Sequence, residues 1–183
     1  MFHEILDKGY TPAMITYDAF INGLCKEGRL QQALRLFDVM VQTGHQCTEI
    51  TYNTLINGFC RVGNLEKAGA LLQEMSEKGW ANVVSYNTLI NGFCKHGRIG
   101  EALQIFYEIP KQCLSPNVVT YNTLMGGLCK VGNLKETIKL FKQMTDSGHV
   151  PDMITYSILM DGICKEGRQQ EANRLLHEIL KNV

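Results

Sequence analysis

Apolar residues recur along the chain in segments of two alternating kinds, both with helical spacing. The first kind carries apolar residues at i, i+3, i+4 and i+7, namely Tyr86, Leu89, Ile90 and Phe93. The second kind carries a similar stripe at Leu134, Ile138, Phe141 and Met144. This spacing marks one face of an α-helix and excludes the alternation of a strand. A glycine follows each kind of segment, as Gly97 and Gly148 do, and predicts where each helix ends.

The two segments together repeat with a period of 34 or 35 residues. Five cysteines mark this period, at Cys25, Cys60, Cys94, Cys129 and Cys164. Such a period indicates a solenoid, in which each hairpin buries its outer apolar face by stacking on the next one. The predicted fold is therefore all-α, an α-solenoid of helix-turn-helix repeats that forms a superhelix.

The repeats divide the chain into four full units and two incomplete ones. The full units are residues 14–48, 49–82, 83–117 and 118–152. Residues 1–13 are predicted to be the tail of a preceding repeat, and residues 153–183 a truncated repeat. We therefore expect a fragment of a longer solenoid, whose open ends would allow an end-to-end homodimer. Within the third unit, Pro110 is expected to shorten the second helix, because proline cannot donate the backbone hydrogen bond.

The composition is that of a folded protein, with 45% apolar and 20% charged residues among 183. Eighteen basic residues balance eighteen acidic ones, so any site for a polyanion has to be local. The longest apolar runs span only a few residues, which predicts no membrane span. The first nine residues lack a basic region followed by an apolar one, so no targeting peptide is predicted there.

The cysteines and histidines do not form a pattern typical of a metal site or a catalytic site. Cysteines one repeat apart would be separated by about 10 Å, the width of a hairpin, whereas zinc needs ligands at about 2.3 Å. We expect the cysteine column to be buried as small apolar side chains. The five histidines share no column of the repeat: His3, His45, His96, His149 and His177. The prediction is a protein without metal, cofactor or enzymatic activity.

One face of each first helix carries a pattern that helix packing does not explain. The second, fifth and thirteenth positions of a unit share this face, because they are separated by three and eight residues. The second position is always β-branched: Ile15, Ile50, Val84, Val119 and Ile154. The fifth is always small and polar: Asp18, Asn53, Asn87, Asn122 and Ser157. The thirteenth is always a cation: Lys26, Arg61, Lys95, Lys130 and Lys165.

These three columns together suit single-stranded nucleic acid. Cations meet phosphates, apolar side chains pack on bases, and small polar groups contact the Watson–Crick edges. Two alternatives stay open. The cations would also complement the dipoles at helix C-termini, with the polar residues simply solvated. The same face could instead hold a peptide, as in protein-interaction solenoids.

The units also resemble a known family. Residues 118–124, residues 127–132, Phe141 and Met144, then Gly148 with Pro151 and Asp152, are similar to the consensus of the pentatricopeptide repeat. The resemblance is to the P-type repeat and to the restorer-of-fertility-like proteins of plants. It implies an organellar RNA-binding protein, in the mitochondrion or alternatively the chloroplast, that acts in RNA processing, stability or translation.

The resemblance further implies that the fifth and last residues of each unit together select one base of a single-stranded RNA. Asn122 with Asp152 implies uracil. Two other pairs imply a pyrimidine: Asn87 with Asn117, and Asn53 with Asn82. Asp18 with Thr48 matches no common pairing, and Ser157 leans towards a purine. The unit of Asn82 lacks one residue between Gly79 and Val83, which leaves the position of Asn82 open.

Overall fold

The computed structural model describes residues 13–45 and 47–167. These residues form nine α-helices, one short 3-10 helix and no strand. The α-helices are α1 Met14–Lys26, α2 Leu30–Gln42, α3 Glu49–Arg61, α4 Leu65–Glu77, α5 Val83–Lys95, α6 Ile99–Glu108, α7 Val118–Lys130, α8 Leu134–Asp146 and α9 Met153–Lys165. The predicted tail of a preceding repeat and the end of the truncated repeat lie outside the described residues. None of the described helices has the length and apolar content of a bilayer span.

The described helices divide into two compact units, the first ending at Gly92 and the second beginning at Phe93, with α5 at the boundary. In the first unit α1 pairs with α2, α3 packs against both, and α4 pairs with α3. In the second unit α6 packs against α7, α7 pairs with α8, and α9 packs against both. First helices therefore pack side by side, α1 on α3 and α7 on α9. The all-α fold of helix-turn-helix repeats is confirmed.

The last residue of a repeat starts the first helix of the next one. Thr48, Asn117 and Asp152 are the N-caps of α3, α7 and α9. Each accepts a hydrogen bond from the backbone N–H three residues on, and a threonine hydroxyl there accepts from the N-cap N–H. This reciprocal capping box satisfies two donors that a helix start would leave without a partner.

Glycine ends the first helices, as their spacing predicts. Gly132 has φ +74°, and the N–H of Asn133 donates to the carbonyl of Leu128 at 2.9 Å. This arrangement closes the last turn, and the left-handed conformation favours glycine. Before Pro110, α6 ends after ten residues, where the other helices have thirteen, and a 3-10 turn spans Ile109–Gln112. The predicted shortening by Pro110 is confirmed.

Aromatic contacts connect successive repeats. The tyrosine at the fourth position packs against a phenylalanine of the preceding second helix, with centroids 5.3 Å apart for Phe37 and Tyr52. Phe106 and Tyr121 meet in the same way, also at 5.3 Å. The hydroxyl of Tyr52 donates to Glu74 Oε1 at 2.6 Å, so its polar end keeps a partner. Large aromatic surfaces buried in this way stabilise one repeat on the next.

The first helices approach each other most closely where a glycine faces a cysteine of the preceding repeat. A Cβ added to Gly127 would lie 2.5 Å from Cys94 Sγ, and one added to Gly162 would lie 2.7 Å from Cys129 Sγ. The same contact joins Gly58 to Cys25 in the first compact unit. Real Cβ atoms do not approach sulfur this closely, so the helix spacing requires glycine at these positions.

Burial of the cysteine column is confirmed for four of its five members: Cys25, Cys60, Cys94 and Cys129. Burial raises the pKa of Cys25 and Cys94 to about 11, although Arg61 and Lys130 nearby act to lower it. The prediction is wrong for Cys164, which is exposed. The reason is that no further first helix packs on α9 among the described residues.

We expect alanine to have opposite effects at two adjacent glycines of α7. Gly127→Ala should lower the free energy of unfolding by about 1 to 3 kcal/mol, because the new methyl group overlaps Cys94. Gly126→Ala should raise it by up to about 1 kcal/mol, because its Cβ meets only Ile158 Cδ1 at 3.9 Å and alanine favours helix. Urea unfolding checks both. Equal shifts would contradict the close contact.

Alkaline pH should weaken the fold through the buried thiols. The pKa of Cys25 and Cys94 rises from the ordinary 9.0 to about 11 in the folded chain, so the unfolded chain releases these two protons first. The stabilisation is complete below about pH 9 and is lost as the pH approaches 11. The measurement is the urea midpoint as a function of pH, compared with that of Cys94→Ala, which should depend less on pH. Identical pH profiles would argue against the thiol as the cause.

Candidate nucleic-acid interface

The β-branched column at the second position faces solvent. Its exposed fractions lie between 58% and 77%: Ile15, Ile50, Val84, Val119 and Ile154. The apolar residues at the fourth, seventh and eighth positions of α3 are in contrast completely buried, as Leu55 and Ile56 are. Packing within the described repeats therefore does not account for an apolar residue at the second position.

The cation column ends each first helix. All five side chains are exposed, and each is the last residue of its helix: Lys26, Arg61, Lys95, Lys130 and Lys165. This position complements the helix dipole and also leaves the charge accessible to a phosphate. Within the described part of the chain, only Lys165 of the five forms an ion pair, with Asp161 Oδ2 at 2.6 Å. The other four charges are therefore available to a ligand.

In the unit 118–152 the fifth and last residues are joined directly. Asn122 is 7% exposed, and its Nδ2 donates to Asp152 Oδ1 at 3.1 Å. The Thr155 hydroxyl donates to Asn122 Oδ1 at 2.8 Å and accepts from the Asp152 N–H at 3.1 Å. The backbone N–H of Thr155 is the largest cause that holds the pKa of Asp152 below its ordinary value, and burial acts against it. The Thr155 hydroxyl, 2.8 Å from Asp152 Oδ1, and the Asn122 amide lower this pKa further. The carboxylate is therefore ionised and can only accept hydrogen bonds.

In the unit 14–48 the two positions are joined through a third residue. The Thr51 hydroxyl donates to Asp18 Oδ1 at 2.7 Å. Its oxygen lies 3.2 Å from Thr48 Oγ1 and accepts from the Thr48 N–H at 3.3 Å. Thr51 thus connects the fifth residue to the N-cap, as Thr155 does in the second compact unit.

The unit 49–82 is arranged differently, although it also has asparagine at the fifth position. The Asn53 Oδ1 is buried and has no hydrogen-bond partner among the described residues. The Ser85 hydroxyl donates instead to Asn82 Oδ1 at 3.3 Å, and Asn82 Nδ2 donates to Glu49 Oε2 at 2.5 Å. The fifth and last residues are therefore not joined in this unit.

The unit 49–82 is one residue shorter than its neighbours, but Asn82 keeps the position of a last residue. Its Oδ1 accepts from the N–H groups of Val84 at 3.0 Å and Ser85 at 3.2 Å. Asn82 therefore stands directly before α5, as the other last residues stand before their helices. The shorter loop that follows Gly79 absorbs the deletion.

The remaining predicted positions lie on α5, before α7 and on α9. Asn87 is half-buried on α5, and Asn117 caps α7 through the N–H of Thr120 at 3.0 Å. The Ser157 hydroxyl is exposed and donates to the Met153 carbonyl of its own helix at 2.7 Å. The last residue of the fifth unit lies outside the described residues.

The sequence prediction missed the hydroxyl at the third position of each unit. The structure buries it completely at Thr51, Ser85, Thr120 and Thr155. Its signal was present in the sequence, since this column holds only threonine or serine. The column is also what a capping box requires, so the pattern alone does not indicate a contact with the preceding repeat.

Second, fifth and ninth positions of successive first helices share open clefts. A cleft of about 460 Å³ in the first compact unit is lined by Ile50, Asn53 and the ninth-position amides of Asn22, Asn57 and Asn91, with two threonines. A cleft of about 400 Å³ in the second is lined by residues that include Ile154, Ser157, Lys130 and Lys165. Both clefts combine apolar and polar groups, as a site for nucleotides requires.

Comparison with known proteins places these repeats in a family. Profiles of the PPR repeat family match residues 12–61, 81–130 and 116–165, and the PPR repeat matches residues 50–80 and 154–182. The search of curated proteins gave no match. The structure is similar to the pentatricopeptide repeat protein PPR10 from maize, at 30% identity and a TM-score of 0.83 over 98% of this chain and 26% of PPR10.

Two further structures are similar. PPR10 in complex with an 18-nt psaJ RNA element matches at 30% identity and a TM-score of 0.81, over 95% of this chain and 26% of that chain. The PPR domain of Arabidopsis thaliana protein-only RNase P 1, in complex with tRNA, shares the fold at 17% identity and a TM-score of 0.66, over 87% of this chain and 85% of that one. The chain spans about a quarter of the length of PPR10. Because the family profiles match most of its residues, the chain belongs to the pentatricopeptide repeat family.

Proposed function

We propose that this protein binds single-stranded RNA along the face of its first helices, with one base opposite each repeat. The observation that carries the proposal is the joined pair of Asn122 and Asp152, flanked by the exposed Val119 and Lys130 of α7. A polar pair, an apolar side chain and a cation on one face match the three parts of a nucleotide. The similarity to PPR10 in complex with RNA supports the same ligand.

In this proposal the apolar residues of neighbouring repeats contact the faces of a base. Val119 and Ile154 are exposed and occupy the second position of successive first helices in the second compact unit. A base packed on them would direct its edge towards Asn122 and Asp152. The carboxylate accepts only, which favours the N3–H of uracil over the bare N3 of cytosine. By the pairings and the parallel polarity that the family resemblance implies, the repeats 49–82, 83–117 and 118–152 would bind two pyrimidines and a uracil, in 5′ to 3′ order.

We propose an adaptor or steric guard, without catalysis, whose effect comes from occupying a transcript. The resemblance to restorer-of-fertility-like repeats supports an organelle, the mitochondrion or alternatively the chloroplast, and a role in RNA processing, stability or translation. Filter binding to homopolymers tests the ligand. A pyrimidine preference supports RNA recognition, whereas no binding to any homopolymer would favour the peptide-binding alternative.

If the cation column contacts phosphates, the binding constant for single-stranded RNA should fall as salt rises. Each phosphate contact should contribute roughly 0.7 to the slope of log K against log salt. Replacing Lys95 and Lys130 with glutamine should flatten the slope of log K against log salt by about 1 to 1.5. The matched control is Lys135→Gln with Lys142→Gln, which removes two exposed cations from α8. Both double variants have the same net charge, so an equal slope in the two would show that the column only complements helix dipoles.

Replacing Asn122 with threonine should shift the preference of its repeat from uracil towards guanine, because threonine with aspartate is the family pairing for guanine. The discrimination should be of the order of 1 to 3 kcal/mol, the scale of a good base contact. The measurement is the ratio of affinities for two short RNAs that differ only at this base. If the variant weakens both RNAs equally and leaves the ratio unchanged, base recognition by this pair is wrong.

A further inference from the structure

The hydroxyl at the third position of one repeat lies against the fifth residue of the repeat before it. Thr155 contacts Asn122, and Thr51 contacts Asp18, across 33 residues in both cases. Both threonines are fully buried, so they do not themselves meet a ligand. A buried hydroxyl that contacts a candidate base-contacting group can act on recognition only through that group.

We propose that Thr155 is a positioning residue for base recognition, which orients the Asn122 amide so that the specificity of one repeat depends on a hydroxyl of the next. This inference rests on the proposed function, because it concerns how the same face selects a base. The ligand class is a pyrimidine base of single-stranded RNA.

The charge of Asp152 and the single hydroxyl proton of Thr155 determine the orientation of the Asn122 amide. Asp152 is ionised, so the group that faces its Oδ1 has to be the NH₂ of Asn122 rather than its carbonyl. The Asn122 carbonyl then faces the Thr155 hydroxyl, whose oxygen accepts from the Asp152 N–H and lies 2.8 Å from both Asn122 Oδ1 and Asp152 Oδ1. Its single proton favours Asn122, because Asp152 Oδ1 already accepts from two N–H groups. Turning the amide over would bring its carbonyl oxygen against the carboxylate, so the hydrogen bond to Asp152 would be replaced by repulsion.

This orientation limits what the pair offers to a base. The carbonyl of Asn122 is occupied by Thr155, so the amide presents its second N–H. Asp152 Oδ1 accepts from Asn122 and from the Thr155 N–H, so Oδ2 is the oxygen that we expect to face a base. The repeat thus presents one donor beside one acceptor in a fixed arrangement. Such a pair discriminates between bases better than an amide that can turn over.

In the unit 49–82, Asn53 occupies the same fifth position as Asn122 but lacks a hydrogen bond from the next repeat. Its third-position hydroxyl, on Ser85, gives its proton to Asn82, because the NH₂ of Asn82 faces Glu49 and its carbonyl faces Ser85. The Asn53 carbonyl accepts no hydrogen bond from Ser85 and is buried without a partner among the described residues. This third-position hydroxyl therefore does not orient the Asn53 amide, and we expect the repeat to accept either pyrimidine. Two asparagines at the same position thus differ because of the repeat that follows.

Thr155 also caps α9, so loss of stability alone cannot distinguish positioning from capping. The deciding quantity is the ratio of affinities for oligouridine and oligocytidine of equal length, which needs no choice of register. Thr155→Val keeps the shape of the side chain and removes the hydroxyl. Thr155→Ala removes the hydroxyl and the methyl group, and Thr155→Ser keeps the hydroxyl. The control is Thr137→Val, a fully buried threonine of α8 that donates to the Asn133 carbonyl at 3.0 Å.

We expect Thr155→Val and Thr155→Ala to reduce the preference for oligouridine about 5-fold, the lower end of one base contact. Thr155→Ser and Thr137→Val should keep the wild-type ratio, whatever their melting temperatures. If the valine variant does not fold, the alanine variant decides. Two results would overturn the inference. One is a wild-type affinity ratio in the folded variants that lack the hydroxyl. The other is a fall of this ratio in Thr155→Ser as large as in Thr155→Ala.

A second measurement needs no RNA. The side-chain NH₂ of Asn122, assigned by its absence in Asn122→Ala, should exchange hydrogen slowly in the wild type and faster in Thr155→Ala. Equal exchange in both would overturn the positioning role. If the wild type binds neither oligonucleotide, the proposed function fails, and this measurement still decides whether Thr155 orients the amide.

Discussion

The close contact between a glycine of one first helix and a cysteine of the preceding one sets the spacing on which the rest of the structure depends. A side chain at Gly58, Gly127 or Gly162 would push the helices apart, because its Cβ would lie within 2.9 Å of sulfur. With this spacing, the N-cap of one first helix comes within hydrogen-bond distance of the fifth residue of the helix before it, as Asp152 does with Asn122. A wider separation would retain both helices and lose this contact.

The same hydrogen bonds serve two purposes at the start of α9. Asp152 and Thr155 satisfy backbone groups that would otherwise lack partners, and they also hold the amide of Asn122. Stability and the arrangement of the candidate site are therefore coupled. This coupling explains why a polar side chain can be as buried as Asn122 without losing its hydrogen bonds.

Charge is organised locally in a chain that is neutral overall. The cations that end the first helices stand at negative dipole ends, so their position stabilises the helices even without a ligand. Lys165 differs because Asp161 pairs with it, whereas Lys130 at the equivalent position of α7 has no ion pair among the described residues. The field available to a polyanion is therefore not the same in every repeat, although the column of cations is uninterrupted.

The sequence by itself determined the helices and their ends, and it predicted the repeat boundaries and the face that carries the candidate site. These features depend on periodicity within about thirteen residues and on its recurrence, so local spacing is sufficient. Only the tertiary structure decided that Thr155 holds Asn122, that Asn82 pairs with Glu49, and that Cys164 is exposed. The two hydrogen bonds join residues 33 apart, and the exposure depends on whether a following helix covers the cysteine. The sequence does not specify these hydrogen bonds, because the proton of a third-position hydroxyl can go to either of two acceptors. The packing of adjacent hairpins selects between the two acceptors.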